Sequence, residues 1–257
     1  MIKKRFSFRS LINTLSHFNF RRIEECSTLI RWLAAKTGEH ILDVGCGDGY
    51  YDKRIGKSGA KVIGIDIHER RLSTAYHLYR SEDTEFIFMD AAEMSFREAS
   101  FDKVVSFCVV EHFYNDEQVI RNISRVLKPG GCFVFSADSL SNPEITAQER
   151  ARHQQRYAVN TFYTKENVRE KLFRAGFDIE EEQYIITTPP GLVLIRLSWK
   201  LDNLPGGLAV VRVLGYLVLG AIWKAVSHFA ERMAVHSGSG LTLLIHAKKR
   251  DIDGGNR

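Results

Sequence analysis

Asp43, Asp66 and three alternating glycines are the residues best placed to do chemistry. The run LDVGCGDG, residues 42–49, sets Gly45, Gly47 and Gly49 directly after a short apolar segment. A glycine has no Cβ, so a ligand can approach the main-chain N–H groups of such a turn closely. Asp66 ends a second apolar run, VIGIDI, where a carboxylate can accept both ribose hydroxyls of a nucleoside. A dinucleotide site prefers G-x-G-x-x-G, whereas the spacing here is G-x-G-x-G. These residues alone fit a dinucleotide or another adenosine-bearing cofactor, and either acid taken singly also fits a helix cap. Glu111 and His112 follow a later apolar run. A histidine can take a proton near neutral pH, which makes this pair the candidate for substrate contact; packing at a strand end is the alternative.

The elements that must position these residues are legible as alternation. HILDVG, AKVIGIDI, TEFIFMDA, FDKVVSFCVV and GGCFVFSAD are short apolar runs, separated by longer segments such as ERRLSTAYHLYRS and DEQVIRNISRVLKPGG. In the latter, Ile120, Ile123 and Leu127 keep a helical spacing. Buried strands alternating with helices mean a parallel sheet with right-handed crossovers. Residues 161–186 read as a helix closed by Gly176 and then a strand, and 240–250 read as a final strand. A helical N-terminal stretch is expected up to a stop at Gly38. Leu11, Leu15 and Phe18 open its apolar spacing, and Ile30, Leu33 and Ala34 continue it. The expected fold class is thus α/β: a Rossmann-like, mainly parallel seven-stranded sheet with helices on both faces. The expected divisions are a basic helical region over 1–38, a core over 39–186, an apolar helical insertion over 187–239, a final core strand over 240–250 and a tail over 251–257.

Five elements, LDVGCGDG, GIDI, FMDAAEMSF, FDKVVSFCVVEHF and ISRVLKPGGCFVFSAD, stand in an order and spacing that resemble the class I S-adenosylmethionine-dependent methyltransferases. The similarity covers about residues 40–138 and is looser to 186. It implies S-adenosylmethionine as cofactor. Asp43, Gly45 and Gly47 would lie against its methionine portion, Asp43 near the amino group, with Cys46 and Gly49 lining the same loop. Asp66 would hold the ribose and Ile67 the adenine face. Asp90 would bond the adenine amino group with Ala91 alongside, or else serve as a turn residue. Cys108 and Val109 would sit by the methionine chain. Physically, Pro129, Gly130 and Gly131 are expected to end a helix and turn the chain into the fifth strand. His153, Tyr157 and Tyr163 fall in a segment that often covers the acceptor in such proteins, and His68 reads as a surface residue.

Composition narrows the rest. With 44% hydrophobic and 26% charged residues among 257, the chain is an ordinary folded protein. The net charge of +5 is concentrated at the front, where Lys3, Lys4, Arg5, Arg9, Arg21 and Arg22 stand among 22 residues without an acid. Such an end is either a solvated flank or an attraction for anionic lipid or nucleic acid. Cys26, Cys46, Cys108 and Cys132 form no CxxC pair or zinc-ligand cluster, so no metal is expected. Free thiols in apolar runs and the lack of an apolar leader fit a cytoplasmic protein. The insertion carries eleven uncharged residues between Arg212 and Lys224. That is short for a membrane span and fits either burial in protein or a membrane interface. No Asn/Asp-Pro-Pro-Tyr signature follows the fourth strand and no RNA-binding module is present, which weighs against a nucleic-acid substrate. The reading is a methyltransferase acting on an oxygen, carbon or nitrogen of a small acceptor, amphipathic or lipid-linked, with peripheral contact to an anionic membrane. An NAD(P)-dependent oxidoreductase and a non-catalytic cofactor-binding protein are the alternatives.

Overall fold

The computed structural model describes residues 19–230 and 238–251. Lys3, Lys4, Arg5, Arg9 and the expected helical spacing through Leu11, Leu15 and Phe18 lie outside these residues. Helix α1 (Phe20–Leu33) starts at Asn19, whose side chain accepts from the Arg21 N–H, satisfying a donor that the first turn leaves orphaned. Its inward face buries Phe20, Cys26, Leu29 and Leu33. The helix stops short of Gly38. Ala34 takes a left-handed φ of 42° and closes its N–H onto the Ile30 carbonyl. Gly38 instead makes the turn into the sheet, donating to the Gly59 carbonyl at 2.9 Å.

Strand and helix then alternate. The elements are β1 (His40–Val44), α2 (Tyr50–Gly56), β2 (Lys61–Asp66), α3 (Glu69–Tyr79), β3 (Thr84–Phe88), β4 (Phe101–Phe107), α4 (Asp116–Val126) and β5 (Leu127–Asp138). The chain continues through α5 (Ala147–Tyr157), α6 (Lys165–Arg174), β6 (Phe177–Ile185), α7 (Pro189–Asp202), α8 (Ala209–Ala230) and β7 (Thr242–Lys249). The seven strands order as β3-β2-β1-β4-β5-β7-β6. The first five pair in parallel, and β7 runs antiparallel between β5 and β6.

Side chains alternate across each strand, and this builds two cores. Ile41, Val105, Val134 and Leu244 pack with Leu29 of α1, Ile55 of α2, Ile195 of α7 and Leu219 of α8. Leu42, Val44, Val104 and Phe133 pack with Ile120 and Ile123 of α4 and Val168 and Leu172 of α6. Both faces of the central strands β1, β4 and β5 are therefore largely buried, the physical reason they read as apolar runs.

The Pro-Gly-Gly segment departs from expectation. Phe101 pairs with Leu127, but Lys103 pairs with Cys132, so Pro129, Gly130 and Gly131 bulge within β5 rather than precede it. A Cβ at Gly131 would lie 2.7 Å from the Asp102 carbonyl oxygen, so only glycine lets the bulge close on its neighbour.

The insertion forms α7 and α8. A Cβ at Gly215 would lie 2.6 Å from Leu201, which shows how closely the two helices approach. Trp223 packs on Phe20 of α1, ring centroids 5.2 Å apart, and its indole N–H donates to Glu24. Ala209, Val213, Tyr216, Leu219 and Trp223 face inward, while Val210, Val211, Leu214, Leu217, Val218 and Ile222 are exposed. No helix among the described residues is long and apolar enough to cross a membrane.

Candidate active site

The strand order reverses between β1 and β4, each leading away to its own half of the sheet. Open α/β sheets bind ligands in the crevice outside the carboxyl ends at this point. The loop after β1 stands there, with Gly45, Gly47 and Gly49 at φ values of 80°, 57° and 77°. The three glycines do different work. A Cβ at Gly45 would strike Val109 at 2.5 Å, and one at Gly49 would strike Phe86 at 2.6 Å. Gly47 alone faces open space, with Arg71 Nη1 at 3.7 Å as nearest neighbour. Its N–H donates to Asp66 Oδ2 at 2.9 Å, and Asp66 Oδ1 accepts from the His68 N–H at 2.7 Å. A carboxylate has about four acceptor sites, so Asp66 keeps capacity for a ligand hydroxyl. Ile67 beside it is 54% exposed, an apolar surface awaiting a cover. Cys46 turns its side chain away, into a cluster with Leu72, Ala75 and Phe86, and contributes only main chain to the loop.

Asp43 and Asp52 lie together beneath this loop, both buried. Apart from one another, their carboxyl oxygens have no partner from another residue among the described ones. Burial and then the negative charge of Asp52 raise Asp43 well above its usual range. Burial pushes Asp52 up to about 7. Two uncompensated carboxyls at a loop with open main chain fit a ligand that brings a cation. S-adenosylmethionine carries an ammonium and a sulfonium, and so suits this donor set. The sequence reading passed over Asp52. Its signal was an acid in the first turn of the helix that follows the glycines, on the same inward face as Tyr51 and Ile55.

Asp90 caps the short turn at Ala91–Glu93, its Oδ1 accepting from the Ala92 N–H at 2.8 Å. It is exposed, while Ala91 is buried and Asn122 donates to the Ala91 carbonyl. Cys108 closes β4 with a left-handed φ of 51°, held by its N–H to Ser136 Oγ at 2.9 Å. Ser136 in turn donates to Glu25 of α1.

A cavity of about 290 Å³ opens beside these residues. It is lined by Cys108, Glu111 and His112, by Arg21 and Arg22 of α1, by His153 of α5, and by residues of α7 and α8. Arg21 and Arg22 therefore do not belong to a solvated basic flank. Arg21 Nη1 reaches Asp138 at 3.1 Å, and Arg22 Nη1 reaches Glu25 at 3.2 Å. Glu111 is fully buried, and neither carboxyl oxygen has a hydrogen-bond partner among the described residues; burial and then the charge of Asp138 push it up to about 8. Burial alone would raise Asp138 as well. The Arg21 guanidinium and the hydrogen bond with His153 outweigh that and hold its carboxyl well below the usual range. His112 is about one third exposed, its Nδ1 3.2 Å from the Ala158 carbonyl oxygen. Tyr157 also lines the cavity. Tyr163 does not; it is buried in the core and bonds Asp116. Cys108, Glu111 and Asp138 bring possible ligand atoms within 4.8 Å of one another. Asp138 is already engaged by Arg21 and His153, and Arg22 adds positive charge, so this donor set does not suit a cation. Asp138 is the acid on this side that sequence reasoning missed; its only signal was its place at the end of the fifth strand.

The fold and the glycine loop are Rossmann-like. Residues 42–135 match the methyltransferase domain family. The protein named probable S-adenosylmethionine-dependent methyltransferase in Mycolicibacterium smegmatis is 32% identical over 148 residues, 56% of this chain and 54% of that one. The ubiquinone biosynthesis O-methyltransferase of Azoarcus sp. is 33% identical over 124 residues, 46% of this chain and 53% of that one. The chain thus spans about half the length of these curated relatives. An S-adenosylmethionine-dependent methyltransferase from Mesorhizobium loti has the same fold, with a TM-score of 0.62 at 21% identity, covering 87% of this chain and 96% of that one.

Proposed function

We propose that this protein transfers a methyl group from S-adenosylmethionine to an oxygen, carbon or nitrogen of a small, amphipathic or lipid-linked acceptor. The observation that carries the reading is the Gly47 main chain, open on its Cα side and tied to Asp66, beside a separate polar cavity at the same sheet edge. In this reading Asp43, Gly45 and Gly47 face the methionine portion, Asp66 and Ile67 the ribose and adenine, and Asp90 and Ala91 the adenine edge. Cys108 and Val109 flank the methionine chain. Cys46 and Gly49 shape the loop from behind. The bound cofactor supplies an electrophilic methyl on a positively charged sulfur. The chain's own residues hold the acceptor close, exclude water and manage its proton.

Glu111 and His112 contact the acceptor. Glu111, raised to about 8, is largely a neutral acid at pH 7 and can donate a hydrogen bond. The amphipathic acceptor and the anionic membrane contact are supported by α8, whose exposed apolar residues lie on the side opposite the cavity-lining Tyr216. Calorimetry with S-adenosylhomocysteine tests the cofactor, and incubation of methyl-labelled cofactor with fractionated extract tests the acceptor class. Absence of heat with well-folded protein overturns the whole reading.

A further inference from the structure

We infer that His153, oriented by Asp138, is the general base that takes the proton from an acceptor hydroxyl, so that this chain methylates oxygen. The inference rests on the methyltransferase reading and narrows its acceptor atom.

His153 belongs to α5, is 5% exposed and lines the acceptor cavity. Its Nε2 lies 2.6 Å from Asp138 Oδ2, and Asp138 Oδ1 accepts from Arg21 Nη1 at 3.1 Å. An ionised carboxylate can only accept, so Nε2 carries the proton and donates it to Asp138. In the neutral ring the lone pair is then on Nδ1. That atom is buried and has no hydrogen-bond partner among the described residues. An unpartnered ring nitrogen is costly to keep in a folded interior; it is closed to solvent here, so an acceptor O–H satisfies it once a side chain packed on the ring shifts. The ring is also held in place by neighbours, with Tyr157 at 4.5 Å and Trp199 at 5.7 Å between centroids.

His112 lacks this support. Its Nδ1 faces a backbone carbonyl, and its nearest carboxyl, Glu111, is 3.9 Å away. That carboxyl is raised to about 8 and so offers little negative charge at neutral pH. Of the two histidines that line the cavity, His153 is the one with an ionised partner to stabilise the imidazolium a base becomes.

The presence of a built base selects the acceptor. A neutral amine offers its lone pair without losing a proton first, whereas a hydroxyl is a weak nucleophile until its proton leaves. The step balances as follows. The acceptor O–H bond breaks and its proton passes to His153 Nδ1. The oxygen pair forms the new O–CH3 bond, and the S–CH3 pair returns to sulfur, which becomes a neutral thioether. Asp138 holds the resulting imidazolium until water takes the proton. Arg21 is a positioning residue, fixing Asp138.

Histidine-labelled protein, without cofactor or acceptor, tests the geometry by long-range nitrogen–proton NMR at pH 7.5, with His153 assigned through its contact with the Trp199 ring. The expected signature is a neutral Nε2–H tautomer. An Nδ1–H tautomer or a doubly protonated ring overturns the inference. Trideuteromethyl S-adenosylmethionine and a metabolite and lipid extract test the chemistry. The label is expected on oxygen, and His153→Gln, which keeps a donor near Asp138, should reduce incorporation by about 100-fold or more. Its affinity for S-adenosylhomocysteine should stay within about twofold of wild type, because His153 lies on the acceptor side. Label on nitrogen, or incorporation by a folded His153→Gln within about threefold of wild type, overturns the inference while leaving the methyltransferase reading intact. Wild-type protein that binds no S-adenosylhomocysteine fails that underlying reading instead. If His153→Gln does not fold, the wild-type tautomer and the labelled atom decide.

Discussion

Arg21 and Asp138 stand 117 positions apart in the chain and 3.1 Å apart in the fold. The contact fastens α1 across the carboxyl edge of the sheet, so a helix that precedes the segment matching the methyltransferase domain family forms a wall of the cavity beside the glycine loop. Removing one partner of a buried pair strands the other charge. Arg21→Met is expected to destabilise the protein by about 3 kcal/mol in urea unfolding at pH 7. Asp138→Asn leaves Arg21 unpaired and should cost a similar amount.

The same pair sets an acid limit. Asp138 is held below its unfolded pKa, so its stabilising contribution is complete above about pH 5 and is lost as pH falls below about 3.9 toward the folded value. Asp138→Asn should flatten this acid limb in thermal unfolding followed from pH 5 to pH 3.

Asp52 and Glu111 act in the opposite sense. Folding raises them to about 7 and about 8. Their contribution is complete below the unfolded carboxyl pKa of about 4 and is lost as pH rises through the folded values. The cofactor-free protein should therefore lose several degrees of Tm between pH 6 and pH 8, at about 3 °C per kcal/mol for this size. Asp52→Asn should remove part of that slope, and saturating S-adenosylmethionine, by supplying a cation, should remove part of it too.

Gly47→Val combines a side chain in open cofactor space with a φ of 57°. No S-adenosylhomocysteine binding should be detectable by calorimetry, while near-native circular dichroism is retained. Asp66→Ala loses an ionised hydrogen-bond acceptor worth about 1.5–3 kcal/mol, a weakening of about 10- to 100-fold.

Leu214, Leu217 and Val218 are about half exposed on α8. Replacing all three with serine should change stability by less than about 1 kcal/mol, since surface sites contribute little. Cosedimentation with vesicles containing anionic phosphatidylglycerol should fall by at least about tenfold, the loss expected for three partly buried apolar side chains. Equal sedimentation of wild type and variant would remove the membrane contact from the proposal.

Much of the core was legible because its signals are local. A parallel strand buried on both faces must be apolar throughout, so the central strands announced themselves within a few residues. Gly45, Gly47 and Gly49 were legible as a turn because left-handed φ values exclude most side chains. Their division of labour was not. That Gly45 makes room for Val109 and Gly49 for Phe86 depends on residues far along the chain. The end of α1 was misplaced for a similar reason. Gly38 is a good stop by type, but Ala34 takes the left-handed cap and Gly38 is used against Gly59.

By itself the sequence determined the sheet and the glycine turn at its carboxyl edge, because periodicity and glycine placement are consequences of backbone geometry. Only the tertiary structure decided what lines the cavity beside that turn. Arg21 was a basic residue in a basic flank and Asp138 the last letter of a strand until folding buried them together. Charge pairing in a low-dielectric interior is a property of distance and burial, and neither quantity exists along a chain.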